Sequence, residues 1–239
     1  MSNIQGLWIG ERLSVMEQLS IKSFLDHGHD YHLYTYSDVE GVPTGTTIKD
    51  GNEILPESEI FTYSSGEGKG SVSAFSNFFR YKLLYDKGGW WVDTDLICIR
   101  PFDFKEEFVF SSEEHLGTHH INAGAIKAPK NSEPLKYCWE TCKAKDKNLL
   151  QWGEVGPRLV AETVKVHKLE NYVQDSEVFC PINFENWLQI LNPNVDMQFS
   201  SNVYAIHLWN EIFRRNGMDK NKAFNPECLY EKLKTKHLG

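Results

Sequence analysis

The first 36 residues predict a strand, a helix and a second strand, and this order constrains the fold more than any other feature of the sequence. Residues 4–9 are mainly apolar and predict a short buried strand. Residues 12–27 carry apolar side chains about every 3.6 positions, which is typical of an amphipathic helix, and Gly28 follows where such a helix ends. Residues 31–36 alternate aromatic and polar side chains, as a strand does. Two strands joined by a helix form a parallel pair, so we expect the start of an α/β sheet of the kind that binds nucleotides.

Strands and helices stay mixed along the rest of the chain, and neither an internal repeat nor a clear domain boundary is visible. A segment rich in Gly, Pro, Ser and Thr at 38–70 is predicted mostly as loop. The predicted fold class is therefore α/β, with a mainly parallel central sheet flanked by helices and a small antiparallel addition. The predicted helices are 71–86 (capped by Ser71), 133–147, 156–168 and 226–236, and the predicted strands are 90–92, 96–99, 108–111, 121–128 and 202–209.

Charge and composition argue against several classes of protein. The chain has 25 Lys and Arg against 33 Asp and Glu, so it lacks the basic surplus that binding to nucleic-acid phosphates requires. No run of about 18 apolar residues is present, so we expect no membrane-spanning helix. Residues 1–10 lack the pattern of a secretory signal, and the five cysteines then favour free thiols and a cytoplasmic location. Aromatic residues make up 13% of the chain, and either core packing or stacking on a base or sugar explains them.

Two carboxylates follow a short predicted strand that contains two tryptophans. Asp93 and Asp95 stand two positions apart, so in an extended chain their side chains point to the same face. Like charges this close repel each other unless a cation neutralises them, and oxygen ligands suit Mg²⁺ and Mn²⁺. With 12 Asp in the chain, about 0.6 Asp-x-Asp matches are expected by chance, so a solvated acidic turn is an alternative. The position after a strand favours a clamp for a metal ion and a diphosphate.

The residues before the acidic pair make the pattern more specific. Residues 75–95 read FSNFFRYKLLYDKGGWWVDTD. This stretch strongly resembles the DxD-containing sugar-binding region of family 32 glycosyltransferases, and it is distantly similar to initiating mannosyltransferases and to the glucosylating domains of large clostridial toxins. The resemblance is dense over residues 73–103 and looser over nearly the whole chain.

The resemblance implies a GT-A fold over a single domain, 1–239, in which 1–110 mainly binds the nucleotide and 111–239 mainly binds the acceptor. It also implies a retaining transfer of a sugar from a UDP- or GDP-sugar to a glycan or glycolipid acceptor, with Mn²⁺ or Mg²⁺ as cofactor. Polysaccharide or surface-glycan synthesis is the corresponding role. Peripheral association with a membrane is compatible with it, whereas nucleic acid is not an expected partner.

The resemblance assigns roles to the residues of the dense region. Asp95 would ligate the metal directly, and Asp93 would contact the ribose and the sugar and also reach the metal. Arg80 would reach the donor from the preceding helix, because a guanidinium is always charged and donates to two oxygens at once. A surface cation on that helix is the alternative for Arg80. Trp91 and Thr94 would join these residues as donor contacts.

Matches near the two ends of the chain imply further contacts. Leu7 and Trp8 resemble the end of the family's first strand, where an aromatic ring stacks on the base, although Trp8 also suits a core. His207 and Trp209 are two apart on a predicted strand and so share a face. His207 would complete the metal site, Trp209 would donate its indole N–H to a phosphate, and Asn210 would contact the donor. A buried structural histidine is the alternative for His207.

Two weaker matches and one departure complete the candidate site. Asn122 and Gly124 resemble the strand that lines the sugar pocket. Glu154 is a catalytic candidate that would hold acceptor hydroxyls, with a structural loop as the alternative. Asn77 stands where relatives usually carry Asp, and this departure leaves the donor sugar open.

Two other functions remain compatible with the acidic pair. A phosphatase with a nucleophilic Asp is one, although Ile97 stands where its motif needs Thr or Val. A non-catalytic sugar-binding module is the other. For a transferase, no carboxylate is assignable as the nucleophile of a double displacement, so front-face attack by the acceptor is the preferred route to retention.

Overall fold

The computed structural model describes residues 3–239, and it confirms the predicted opening of the chain. Strands β1 (Ile4–Leu7) and β2 (Tyr31–Thr35) pair in parallel, and helix α1 (Val15–Asp26) connects them. The start of α1 is fixed by a capping box, in which Ser14 accepts from a backbone N–H of the first turn and Glu17 accepts from the N–H of Ser14.

A six-stranded sheet forms the centre of the molecule. Beyond β1 and β2, the strands of the chain are β3 (Thr47–Asp50), β4 (Gly89–Val92), β5 (Leu96–Cys98), β6 (Val109–His115), β7 (Thr118–Ala128) and β8 (Ala205–His207). The order in the central sheet is β3-β2-β1-β4-β7-β6. The first four strands are parallel, β7 runs antiparallel to β4, and β6 pairs antiparallel with β7, which confirms the predicted fold class.

Strand β3 lies inside the segment that the sequence predicts mostly as loop. It forms the edge of the sheet, and its side chains are largely exposed, with Ile48 at 49%. An edge strand that packs on neither face needs no alternation of apolar and polar residues, so its sequence carried no strand pattern.

The seven helices of the described residues cover both faces of the sheet. After α1 they are α2 (Ser73–Lys87), α3 (Glu133–Lys143), α4 (Pro157–His167), α5 (Ser176–Phe179), α6 (Asn210–Arg215) and α7 (Leu229–Leu238). Helix α2 begins two residues after the predicted cap, Ser71, whose hydroxyl accepts from the N–H of Ser73 at 3.2 Å. Helix α3 ends at Lys143, earlier than predicted, because the chain turns at 144–149.

The glycine pair between α2 and β4 sets the direction of the chain toward the acidic pair. Gly88 and Gly89 both have positive φ, at 70° and 90°. A Cβ on Gly88 would lie 2.6 Å from the backbone nitrogen of Lys130, so only glycine fits this turn.

Strands β6 and β7 form a hairpin that is longer than predicted. The two-residue turn at Leu116 and Gly117 has positive φ at both positions, which is the conformation that tight hairpins need. Leucine rarely adopts this conformation, and the sequence therefore gave no hairpin signal at this point. The register shifts between Phe110 and Ser112, so that β7 bulges over residues 122–125.

A separate two-stranded sheet joins β5, which follows the acidic pair, to β8 near the end of the chain. The strands are antiparallel, and Leu96 lies opposite His207. This pairing brings residues that are more than 100 positions apart to one place. Strand β8 is shorter than the predicted 202–209, because the chain leaves it at Leu208 to begin α6.

Two apolar clusters cover the faces of the central sheet. Trp90 belongs to one cluster and Trp91 to the other, and both are almost completely buried. Core packing thus accounts for many of the aromatic residues. All five cysteines are buried and free, as the sequence predicted. None of the helices described is long and apolar enough to span a membrane.

Candidate active site

A cavity of about 600 Å³ opens at the carboxyl ends of the parallel strands β1 and β4. This is the edge at which open α/β sheets bind ligands. Among the site residues predicted from the sequence, only Glu154 is absent from its walls. The predicted residues that line the cavity are Leu7, Trp8, Asn77, Arg80, Trp91, Asp93, Thr94, Asp95, Asn122, Gly124, His207, Trp209 and Asn210.

Asp93 is held by groups from three elements. Its Oδ1 accepts from the indole N–H of Trp91 at 2.8 Å and faces Nη2 of Arg80 at 2.9 Å. Its backbone N–H donates to the carbonyl of Gly124 at 2.7 Å. The side chain remains 29% exposed and faces the cavity. Burial raises the pKa of Asp93 above its usual range, although the charge of Arg80 opposes that effect.

The buried side chain of Arg80 connects helix α2 to strands β4 and β7. Its side chain is 5% exposed, so the alternative of a surface cation on the helix is wrong. Besides Asp93, it donates to the carbonyl of Ala123, and its guanidinium carbon lies 4.8 Å from the centre of the Trp91 ring. These contacts fix the orientation of the Asp93 carboxylate before any ligand binds.

Asp95 pairs with His207 across the small sheet formed by β5 and β8. Oδ2 of Asp95 lies 3.2 Å from Nε2 of His207 and accepts the backbone N–H of Asn210 at 2.8 Å. Both side chains of the pair are 11% exposed. The backbone carbonyl of Asp95 also accepts from the N–H of Leu208 at 2.9 Å. Both the side chain and the backbone of Asp95 therefore hold the C-terminal segment.

Asp95 and His207 each stabilise the charged form of the other. Burial alone would raise the pKa of Asp95, but His207 and the N–H of Asn210 lower it below its usual value. Burial alone would lower the pKa of His207, yet the Asp95 carboxylate holds it well above its usual value. In the absence of another cation, the imidazolium therefore neutralises this carboxylate.

Asp93, Asp95 and His207 form a donor set that fits a divalent cation. One ligand atom from each residue can be chosen so that all of them lie within 4.8 Å of one another. Two carboxylates and an imidazole suit Mn²⁺, and Mg²⁺ would use mainly the carboxylates. The sequence prediction of these three residues as neighbours is confirmed by their positions.

The bulge in β7 brings a second group of residues to the cavity. Asn122 is 4% exposed, and its Oδ1 accepts from the hydroxyl of Ser111 and from the N–H of Gly124 at 3.0 Å. Its Nδ2 donates to Glu113 at 3.1 Å and to Cys180 at 3.3 Å. Asn122 thus lies where the resemblance implied, but protein groups already occupy its hydrogen-bonding positions.

The predicted aromatic contacts have different outcomes. The indole N–H of Trp209 donates to the carbonyl of Ile182 at 2.8 Å, so it does not point to a phosphate as expected. The Trp209 ring instead packs against His207, with centroids 4.0 Å apart and an angle of 32° between the ring planes. The indole N–H of Trp8 is buried without a hydrogen-bond partner among residues 3–239. Stacking of Trp8 on a base remains a prediction.

The two predictions at the sugar and acceptor end also differ in outcome. Asn77 is 7% exposed, lines the cavity and lies against Gly156, where a Cβ would come within 3.1 Å of its amide nitrogen. Glu154 is turned away from the cavity and pairs with Lys145 at 2.8 Å. Its neighbours Trp152 and Gly153 line the cavity in its place, so the expected catalytic position of Glu154 does not match the structure.

Several residues that line the cavity were not predicted from the sequence. Glu113 lies on β6 beyond the predicted end of that strand, and Phe184 comes from a 3₁₀ segment. At the mouth, Arg215 lies 4.6 Å over the Trp152 ring and pairs with Glu67 at 3.0 Å, which links three segments distant in sequence. Recognising β6 as one arm of a hairpin would have pointed to Glu113.

Two family models match the chain. The glycosyltransferase sugar-binding region containing the DXD motif matches residues 14–115, which include Asp93 and Asp95. The alpha 1,4-glycosyltransferase conserved region matches residues 146–237, which include His207. The three residues of the donor set thus come from both matched regions.

Individual proteins are similar over most of this chain. The human alpha-1,4-N-acetylglucosaminyltransferase is 25% identical over 208 residues, which are 79% of this chain and 58% of that protein. The chain therefore spans little more than half the length of this relative. The solved structure of the PaToxG glycosyltransferase superposes with a TM-score of 0.50 at 14% identity, covering 99% of this chain and 86% of that one. That likeness shows the fold alone.

Proposed function

We propose that this chain is a glycosyltransferase that moves a sugar from a UDP- or GDP-sugar to a glycan acceptor, and the two matched regions and the human relative support this proposal. The transfer uses a divalent metal ion and retains the anomeric configuration. The observation that carries the proposal is the convergence of Asp93, Asp95 and His207 at the wall of a cavity of about 600 Å³. A phosphatase and a non-catalytic sugar-binding module are the alternatives, and neither matched region supports them.

The residues of the donor set would hold Mn²⁺ or Mg²⁺ against the diphosphate of the donor. When bound, such an ion supplies Lewis-acid stabilisation of the charge that develops on the leaving diphosphate. Asp93 is oriented for this role by Arg80 and Trp91, and Asp95 by the N–H of Asn210. Because these positions are fixed in advance, the site spends little free energy on reorganisation.

The names of the matches support retention. The human relative and the second family model both carry an α-1,4 designation. A sugar that leaves an α-linked nucleotide diphosphate and forms an α-linked product keeps its anomeric configuration. Front-face attack by the acceptor, assisted by the leaving phosphate, accounts for this outcome with no covalent intermediate.

The proposal also includes the acceptor, the biological role and the cellular location. We propose that residues 111–239 mainly bind the acceptor, and the presence of Trp152 in the cavity wall supports this. The acceptor is a glycan or a glycolipid, in polysaccharide or surface-glycan synthesis. We place the reaction in the cytoplasm, with five free thiols as the supporting observation.

A binding and product analysis tests the proposal. We expect UDP or GDP to bind in the presence of Mn²⁺ and to lose affinity when EDTA is added. At a nucleotide concentration of 100 times the dissociation constant, the bound protein gains about 2.7 kcal/mol of stability, which thermal unfolding detects. A panel of UDP- and GDP-sugars then identifies the donor, and NMR of the product gives the anomer. An affinity for the nucleotide that is unchanged by EDTA, or a product with inverted anomeric configuration, would contradict the proposal.

A further inference from the structure

The carboxylates that line the cavity differ in how they are neutralised. All but one lie within 4.0 Å of a cationic nitrogen of the described residues. The exception is Glu113, for which no ion pair occurs among residues 3–239. The paired carboxylates, with their partners, are Glu67 with Arg215, Asp93 with Arg80, Asp95 with His207, and Glu211 with Arg214 and Arg215.

Glu113 is positioned by one hydrogen bond at the far side of the β7 bulge. Its Oε2 accepts from Nδ2 of Asn122 at 3.1 Å. Asn122 is itself fixed by Ser111, Gly124 and Cys180, so this contact directs the Glu113 carboxylate while leaving most of its acceptor positions unused.

The bulge also gives the position of Glu113 relative to the metal-ligand set. A Cβ on Gly124 would lie 3.7 Å from Oδ2 of Asp93, so Gly124 adjoins the acidic pair. Asn122 contacts Gly124 on one side and Glu113 on the other. Glu113 therefore lies beside the β7 bulge on a wall of the same cavity, and among residues 3–239 it makes no direct hydrogen bond or ion pair with Asp93, Asp95 or His207.

A lone carboxylate at this position is selective by charge. Anionic groups near it are repelled, because two negative charges in a partly buried cavity lack the screening of bulk water. Neutral hydroxyl groups instead donate to it in charge-assisted hydrogen bonds, which are stronger than bonds between neutral groups. The ribose and the hexose ring of a nucleotide sugar both meet these conditions, and binding of the nucleoside diphosphate alone, compared with the complete donor, distinguishes them.

We propose that Glu113 accepts hydrogen bonds from hydroxyl groups of the transferred sugar and excludes donor sugars that carry a carboxylate. Glu113 is then a substrate-contacting residue that selects neutral hexoses over uronic acids. This assignment rests on the proposed function, because it needs a nucleotide sugar in the cavity. In the described residues Glu113 contacts none of the proposed metal ligands directly, and it reaches His207 only through Asn122 and Cys180.

The test compares Glu113→Gln with the matched variant Glu114→Gln. Glu114 is the next residue on β6, it is exposed, and its side chain points to the opposite face of the strand. Calorimetry with Mn²⁺ measures binding of the nucleoside diphosphate alone, UDP or GDP, and of the corresponding UDP-glucose, UDP-N-acetylglucosamine or GDP-mannose.

For Glu113→Gln we expect affinity for the diphosphate within twofold of wild type, and a roughly tenfold loss of affinity for the neutral sugar donor. The preference for UDP-glucose over UDP-glucuronic acid, or for GDP-mannose over GDP-mannuronic acid, should fall by a similar factor. Glu114→Gln should match the wild type in every measurement.

The other outcomes separate the two proposals. If wild-type protein binds neither diphosphate with Mn²⁺, the proposed function fails and this inference fails with it. If the wild type binds but Glu113→Gln loses the diphosphate and the sugar donor equally, the residue is structural and the inference is overturned. An unchanged affinity for neutral and acidic sugars overturns it as well, whatever happens to acceptor binding.

Discussion

Asp93 and Asp95 are two residues apart, yet different parts of the chain hold them. Asp93 is held by Arg80, Trp91 and the backbone of Gly124, all within the central sheet and the helix on it. Asp95 is held by His207 and by the N–H of Asn210, which arrive only when the C-terminal segment returns to pair with β5.

The partners of the two carboxylates also differ chemically. A guanidinium cannot release its proton in a protein, whereas an imidazolium can. A cation that takes Asp95 from His207 leaves a neutral ring that can itself bind a metal. A cation that replaced Arg80 beside Asp93 would leave a buried positive charge unpaired. We infer that Asp93 is fixed in place and that the Asp95 and His207 pair is the part that opens to a metal ion.

The largest expected effect is on turnover. Asp95→Ala should lower kcat for sugar transfer by about 10³-fold, because it removes a ligand of the ion that stabilises the leaving diphosphate. Asp38→Ala, at an exposed position away from the cavity, is the control and should retain wild-type turnover. Retention of turnover in Asp95→Ala would show that the two acids do not share the metal.

The free energy of unfolding should depend more on Asp93 than on Asp95. Asp93→Ala leaves the 5% exposed guanidinium of Arg80 without its carboxylate, and we expect it to lower the free energy of unfolding by about 3–5 kcal/mol. Asp95→Ala leaves a histidine that can become neutral, so its cost should be near 1–2 kcal/mol. Urea unfolding of metal-free protein measures both values. Equal losses would mean that Arg80 finds another partner.

Metal affinity should depend on the residue behind His207. Nδ1 of His207 faces the sulfur of Cys180 at 3.7 Å, and such contacts orient histidine ligands. Cys180→Ser should weaken Mn²⁺ binding by about tenfold, as measured by calorimetry. Cys142→Ser, at a buried thiol of the other apolar cluster, should leave the affinity unchanged. If both variants behave alike, the effect of Cys180→Ser comes from core packing.

The smallest effect is expected at Glu154. The structure pairs it with Lys145 outside the cavity, so Glu154→Gln should change kcat and KM by less than twofold. Kinetics with the identified donor and acceptor checks this expectation. A loss of tenfold or more would restore the catalytic role that the resemblance implied and would require a rearrangement of residues 151–154.

Sequence reasoning predicted the part of the site that is built from neighbouring residues. The i, i+2 spacing predicted that the carboxylates of Asp93 and Asp95 lie side by side, although the structure places them in a turn, in which the N–H of Leu96 donates to the carbonyl of Asp93 at 3.1 Å, and not in an extended strand. The position of Arg80 at the site was implied by the family resemblance. The same reasoning failed at Glu154 and at the N–H of Trp209, because the partners that satisfy them, Lys145 and the carbonyl of Ile182, lie elsewhere in the chain.

The sequence alone determined the parallel α/β start, the short strand that ends at Val92, and the chemistry of the acidic pair, since periodicity and residue type act over short distances. Only the tertiary structure decided that His207 meets Asp95, that the β7 bulge delivers Asn122, and that Glu113 faces the cavity without a cation. These contacts depend on strand pairing and register between distant segments, and local patterns do not encode which distant partner a residue will meet.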